Sequence, residues 1–160
     1  MSTLRAKVLT VSDGVIAGTR EDTSGRALVE RLREAGYLVV DHQIVGDGID
    51  TVSQALRRMS SRFSGLLVTT GGTGFSPRDL TPEGTLTVLD RQAPGLSEAM
   101  RQASPLGRLS RGIAGTIGSC LVINTPGSTK GCLESLEAVL DILPHALSLL
   151  AGEPAHHPHE

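Results

Sequence analysis

The segment Gly71-Gly72-Thr73-Gly74-Phe75-Ser76-Pro77-Arg78-Asp79-Leu80-Thr81-Pro82-Glu83 gathers residue types that bind phosphate. Glycine adopts φ > 0 without steric cost and lets main-chain N–H groups approach an anion closely. A turn of successive N–H groups is a natural anion cradle. Asp79 stands between that turn and Thr81-Pro82-Glu83, whose order suits an N-cap, an N1 proline and an acid in the first helical turn. A carboxylate beside a bound phosphate suggests a bridging divalent cation, because two anions side by side repel. Neither common glycine loop fits. Pro77 occupies the place of the third glycine of the dinucleotide fingerprint, and the Gly-Lys-Ser/Thr of nucleoside-triphosphate loops is absent.

Three shorter motifs have the look of turns at strand ends: Ser12-Asp13, Gly46-Asp47-Gly48 and Asn124-Thr125-Pro126-Gly127-Ser128. Each also has a plain structural reading. Asp47 between glycines is ordinary turn chemistry, Ser128 suits a helix N-cap, and Ser12 and Asp13 divide between turn and site. Asp79 is free to pair with Arg78 or to cap a helix. Asp22-Thr23-Ser24-Gly25 reads mainly as a helix start, and Arg111 either contacts phosphate or lies solvated on the surface.

The elements that must position these residues alternate. Apolar runs at 7–11, 37–45 in part, 66–70 and 120–124 predict four buried strands. Between them, Leu28, Val29, Leu32 and Ala35 form one helical stripe ended by Gly36. Val52, Ala55, Leu56, Met59 and Phe63 form a second, capped by Asp50 and ended by Gly65. Leu133, Leu136, Leu140, Leu143, Leu147 and Leu150 form a third, with a kink or restart expected at Pro144. The pattern predicts a single α/β domain of three layers, a mostly parallel sheet with helices on both faces. Residues 94–118 follow the pattern less clearly: 96–103 suits a helix and 112–118 an extended or hairpin segment. Because ligands of open parallel sheets bind outside the carboxyl ends of the strands, all four motifs fall on one rim and address one pocket.

Taken in order, the GGTG turn, the Arg78-Asp79-Leu80-Thr81-Pro82 run and the Pro126-Gly127-Ser128 turn resemble the MoaB/MogA family of molybdenum-cofactor biosynthesis. Ser12-Asp13, Asp22–Gly25 and Ser110-Arg111 extend the resemblance over nearly the whole chain. It implies an α/β domain, commonly a homotrimer, that binds molybdopterin and, in its catalytic members, uses magnesium and ATP to adenylylate the pterin's terminal phosphate. It places the two family carboxylates, catalytic and magnesium-holding, on Asp47 and Asp79. Pterin and nucleotide contacts fall on Ser12, Asp13, Gly71, Gly72, Thr73, Gly74, Asn124, Pro126, Gly127 and Ser128. Other molybdenum-cofactor enzymes are the implied further partners. The chain departs from the family at Gly84, where alanine is usual, and at Thr125, where leucine is common. A non-catalytic pterin-binding or delivery protein, and a sugar- or nucleotide-binding regulator on the same sheet, are the rival readings.

Composition excludes other classes. A net charge of −2 provides no field for nucleic acid or an anionic membrane, and 2% aromatic residues with no Trp leave no stacking platform for single strands. Cys120 and Cys132 are too few and too far apart for a metal knuckle or a Cys-X-X-Cys pair and read as reduced thiols. With neither a leader pattern nor an apolar run near the ~20 residues that span a bilayer, the expectation is a soluble, cytoplasmic protein. Residues 1–152 read as one domain. Residues 153–160, with His156, His157 and His159, read as a disordered tail.

Overall fold

The computed structural model describes residues 3–153. Its sheet is built on alternation. In β1 (Arg5–Val11), Ala6 and Val8 enter one core while Leu9 and Val11 enter the other. Strands β3 (Gly65–Thr70) and β6 (Cys120–Thr125) are buried along their whole length, as strands covered on both faces must be. With β2 (Leu38–Val45), these three run parallel in the order β2-β1-β3-β6. After the one-turn α1 (Asp13–Ile16), one face carries α2 (Thr23–Glu34), α5 (Pro94–Arg101), α6 (Thr129–Val139) and α7 (Leu143–Leu150), which bury Leu28, Leu32, Met100, Leu136 and Leu143. The other carries α3 (Ile49–Ser60), through Val52, Ala55, Leu56 and Met59. The short α4 (Thr81–Leu86) packs against α3. A Cβ on Gly84 would lie 2.8 Å from both the Ile49 carbonyl oxygen and Val52 Cβ, so glycine here lets α4 approach α3 closely.

The irregular region completes the sheet. Strand β5 (Ala114–Ile117) forms an antiparallel hairpin with β6, and β4 (Arg91–Gln92) pairs antiparallel with β5 at the edge. The hairpin matches the expectation for 112–118. The two-residue β4 is too short to leave a periodic trace.

Several boundaries differ from expectation for local reasons. Asp50 does not cap α3: Gly48 (φ 125) occupies the N-cap without a side-chain bond, and Asp50 lies in the first turn. The helix stops at Ser60, the chain turns through Arg62 (φ 53), and Gly65 opens β3. In α4, Thr81 is already helical and Leu80 takes the N-cap position. The leucine stripe restarts: α6 ends at Val139, and Pro144 falls in the first turn of α7, where a missing N–H costs no helical bond. Ser128 does cap α6, accepting from Gly131 N at 3.0 Å. Among the described residues no helix is long and apolar enough to cross a membrane. The histidines of the tail lie outside the described residues.

Candidate active site

An open cavity of about 490 Å³ lies at the carboxyl ends of β1, β3 and β6. The turns after four strands reach it: Ser12 after β1, Asp47 after β2, Gly71–Gly74 and Asp79 after β3, and Pro126–Ser128 after β6. Gly71 (φ 102) and Gly72 (φ 69) occupy left-handed conformations, and both are hemmed in. A Cβ on Gly71 would collide with the Val11 carbonyl oxygen, and one on Gly72 with Thr81 Oγ1, which is buried and has no hydrogen-bond partner. Only glycine fits either position.

The polarity of this turn is one-sided. Its carbonyls are occupied: Gly72 O accepts from Thr81 N at 3.0 Å and Thr73 O from Arg111 N at 2.9 Å, while Gly74 O accepts from Arg111 Nε at 2.8 Å. Arg111 also donates to the Asp79 carbonyl at 2.6 Å and pairs with Glu83, whose carboxyl it holds below the usual range. The N–H groups of Gly72, Thr73 and Gly74 donate to no protein group among the described residues. Gly71 N bonds Thr125 O at 3.1 Å, and a Cβ on Gly127 would stand 3.3 Å from Gly71 Cα, so the two glycine turns lie back to back. Three unclaimed donors on a braced turn are the arrangement that suits an anion.

Two carboxylates abut that turn. Asp47 Oδ1 lies 3.1 Å from where a Gly72 Cβ would stand, and Asp79 Oδ2 lies 3.0 Å from that of Gly74. Asp79 is fixed by Ser76 N, which donates to Oδ2 at 3.0 Å. Burial pushes the Asp47 carboxyl up from its ordinary value, and the charges of Asp13 and Asp79 push it further. Asp47 and Asp79 form a two-carboxylate set. Among the described residues no group of three or more His, Cys, Asp or Glu side chains surrounds a metal position. Two acids beside unclaimed N–H donors are a set that suits magnesium, which keeps several waters and is commonly held by one or two carboxylates plus phosphate oxygens.

Two of the expected site residues do not reach the cavity. Asp13 faces Arg78, whose guanidinium donates to it at 2.6 and 3.2 Å and holds its carboxyl below the usual range. Asn124 is 2% exposed and fully engaged: Nδ2 donates to Thr69 Oγ1 at 3.0 Å and Thr85 Oγ1 at 3.1 Å, while Oδ1 accepts from Ile113 N at 3.1 Å. It fastens β5 to β6 and α4 to the sheet.

The lining also includes residues that were not expected as ligand contacts, among them two read mainly as a helix start. Thr23 and Ser24, at the start of α2, reach the cavity because their N-cap Asp22 is itself sealed by Thr10 Oγ1 and His42. Arg20 is the only cation on the lining, against the acids Glu21, Asp47 and Asp79, and it makes no ion pair among the described residues. Leu106 and Leu109, from a 3-10 helix at Pro105–Leu109, give the mouth an apolar lip. An Arg and two Leu in irregular sequence carry no signal of this. Ser110, which also lines the cavity, did carry one, as part of the resemblance at Ser110-Arg111. Cys120 and Cys132 are buried and free, with burial pushing their thiols up to about 12 and about 11, so neither is a nucleophile.

The class is thus a doubly covered α/β domain whose ligand cavity, lined by glycine turns and acids, sits on the strand ends of a parallel sheet. Residues 7–145 match the family model described as a probable molybdopterin binding domain. Among curated proteins, molybdopterin adenylyltransferase of Helicobacter pylori is 40% identical over 159 residues, covering 95% of this chain and 90% of that protein. The adenylyltransferase of Escherichia coli is 34% identical over 171 residues, with 95% and 88% coverage. Among solved structures, the molybdopterin biosynthesis enzyme MoaB of Thermus thermophilus is 46% identical with a TM-score of 0.88, covering 96% of this chain and 99% of that one. The chain belongs to this molybdenum-cofactor-biosynthesis family of molybdopterin-binding domains.

Proposed function

We propose that the protein adenylylates molybdopterin: the pterin's terminal phosphate oxygen attacks the α-phosphorus of ATP, the bond to the β-phosphate oxygen breaks, and pyrophosphate leaves. The observation that carries this reading is the braced glycine turn: three of its N–H groups are unclaimed among the described residues, and its residues line a cavity together with Asp47 and Asp79. The relatives named as adenylyltransferases support it over most of the chain. Transfer between two phosphates needs no protein nucleophile, since the acceptor is itself the attacking group. The protein's task is alignment and charge neutralisation.

The glycine turn at 71–74 and the turn at 126–128 each accommodate one phosphate, and only double occupancy brings donor and acceptor in line. Asp47 and Asp79 would hold magnesium, which supplies neutralisation of phosphate charge when bound. Arg20 supplies the lining's permanent positive charge, and the Leu106–Leu109 lip suits the flat face of a ring. The reading carries with it a trimeric assembly, from the sequence resemblance alone, and a cytoplasmic compartment.

The test is substrate dependence. With magnesium and ATP, pyrophosphate is released only when molybdopterin is added, and in proportion to it. Tight pterin binding without release, in folded and metal-replete protein, identifies a carrier instead.

A further inference from the structure

We infer that Arg78 and Asp13 are positioning residues: together they latch the loops after β1, β2 and β3, so that the Asp47 carboxylate is held against the glycine turn. The inference rests on the reading of Asp47 as an acting carboxylate in adenylyl transfer.

The latch is reciprocal. Asp13 N donates to Asp47 Oδ2 at 3.0 Å, and Asp47 N donates to Asp13 Oδ1 at 3.0 Å, so each carboxylate holds the other residue's backbone. Arg78 closes it from the third loop. Its Nε donates to Asp13 Oδ2 at 2.6 Å, and its Nη2 to Asp13 Oδ1 at 3.2 Å and to the Asp47 carbonyl at 2.9 Å. With Oδ2 of Asp47 occupied in this way, Oδ1 is the oxygen left facing Gly72. Arg78 also precedes Asp79, so one guanidinium links the loops that carry the two carboxylates. The fit is close at Gly46, where a Cβ would lie 3.0 Å from Asp13 Oδ1.

Stability does not account for this arrangement. The Arg78 and Asp13 side chains are 65% and 47% exposed, and ion pairs as exposed as this contribute little to folding. Placement is where such contacts count, because a displacement of about 1 Å at a reacting geometry costs ~100-fold in rate. A planar fork that grips a carboxylate and a carbonyl at once is also a task that lysine cannot perform.

The experiment compares Arg78→Gln, Arg78→Lys, Asp13→Ala and Asp13→Ala/Arg78→Gln with wild type, reading kcat and KM, melting temperature, and amide hydrogen exchange of the ligand-free protein. Each single change is expected to lower kcat by about 10- to 100-fold and to leave both KM values within about threefold. Melting temperatures should stay within about 2 °C of wild type. The double variant should be no slower than the slower single, as residues acting through one latch are not additive, and Asp47 N should exchange faster in all four. Arg31→Gln, which breaks the exposed pair with Glu137, is the control and should keep wild-type kcat. Unchanged kcat, multiplicative losses in the double variant, or raised KM at normal kcat would each overturn the inference, the last by making Arg78 and Asp13 ligand contacts. Absence of turnover in wild type sinks the functional reading instead. The exchange rate of Asp47 N then still decides the latch, since it is measured without substrate, and unaltered exchange refutes it.

Discussion

Replacing Gly74 by alanine separates what the glycine turn does for the site from what it does for the fold. A Cβ at Gly74 would stand 3.0 Å from Asp79 Oδ2, roughly half an ångström inside a comfortable van der Waals separation. Ser76 N grips the same oxygen at 3.0 Å, so relief requires the carboxylate to swing off its present position. If a displacement of about 1 Å costs ~100-fold, half of that costs about tenfold, or ~1.4 kcal/mol in the barrier. Gly74 is not among the positive-φ glycines, so its backbone accepts alanine without strain, and the melting temperature should fall by no more than about 2 °C. Gly72→Ala is the contrasting case. At φ 69 the left-handed conformation costs about 1–2 kcal/mol for a side chain, and overpacking against buried Thr81 adds about 1–3 kcal/mol. At ~2–4 °C per kcal/mol for a chain of this size, the midpoint should drop by about 4–20 °C. Thermal melts of the ligand-free proteins and pterin-dependent pyrophosphate release under saturating substrates read the two effects separately. Wild-type turnover by Gly74→Ala, or a melting loss equal to that of Gly72→Ala, would refute the reasoning.

Asp79→Asn should remove adenylyl transfer almost completely while leaving the fold intact, checked by pyrophosphate release and circular dichroism. Asp47→Asn should do the same and also raise the melting temperature at neutral pH. The sign follows from burial: a carboxyl whose pKa rises on folding opposes the fold once ionised, so its removal helps above the folded pKa and the gain fades in acid, where Asp47 is protonated anyway. Arg20→Gln should weaken ATP binding by about tenfold and flatten its salt dependence, with Arg20→Lys retaining most of both, as measured by calorimetry across ionic strengths. Light scattering should give three times the monomer mass over working concentrations, and a monomer throughout would refute the trimer.

The parallel core was legible because β3 and β6 are buried throughout and β1 over most of its length, so that each reads as a mostly apolar run, and because Ser128 and Pro144 mark helix starts by local chemistry. The convergence of four turns was legible too, since parallel strands place their carboxyl ends on one edge whatever the intervening sequence. What escaped were contacts that no spacing encodes. Arg78 was weighed as a partner for its neighbour Asp79, yet it reaches across to Asp13, because the turn of residues 76–79 directs Asp79 back onto Ser76 N. Asn124 read as a ligand residue because it lies next to the Pro-Gly-Ser turn, but the side-chain alternation of β6 points it into the core on the α4 side. The polar strand residues Thr10, Thr69 and Thr70 were the available hint that this sheet buries a hydrogen-bonded network below its rim.

The seam between β3 and β6 also bears on the lifetime of the protein. Its side-chain partners are far apart in the chain, Asn124 and Thr69 being separated by 55 positions. Strands that pair over such distances close late, because loop entropy is spent before the contacts repay it. The cavity straddles this seam, with Gly71 N bonded to Thr125 O and the two glycine turns back to back, so no partly zipped sheet contains it. A nascent chain would therefore gain nothing from a ligand of this cavity, whereas a ligand that binds only the finished site would stabilise it and slow escape from it. Scarcity of pterin or nucleotide would then be felt first as faster proteolytic loss of the protein, before any deficit in its product.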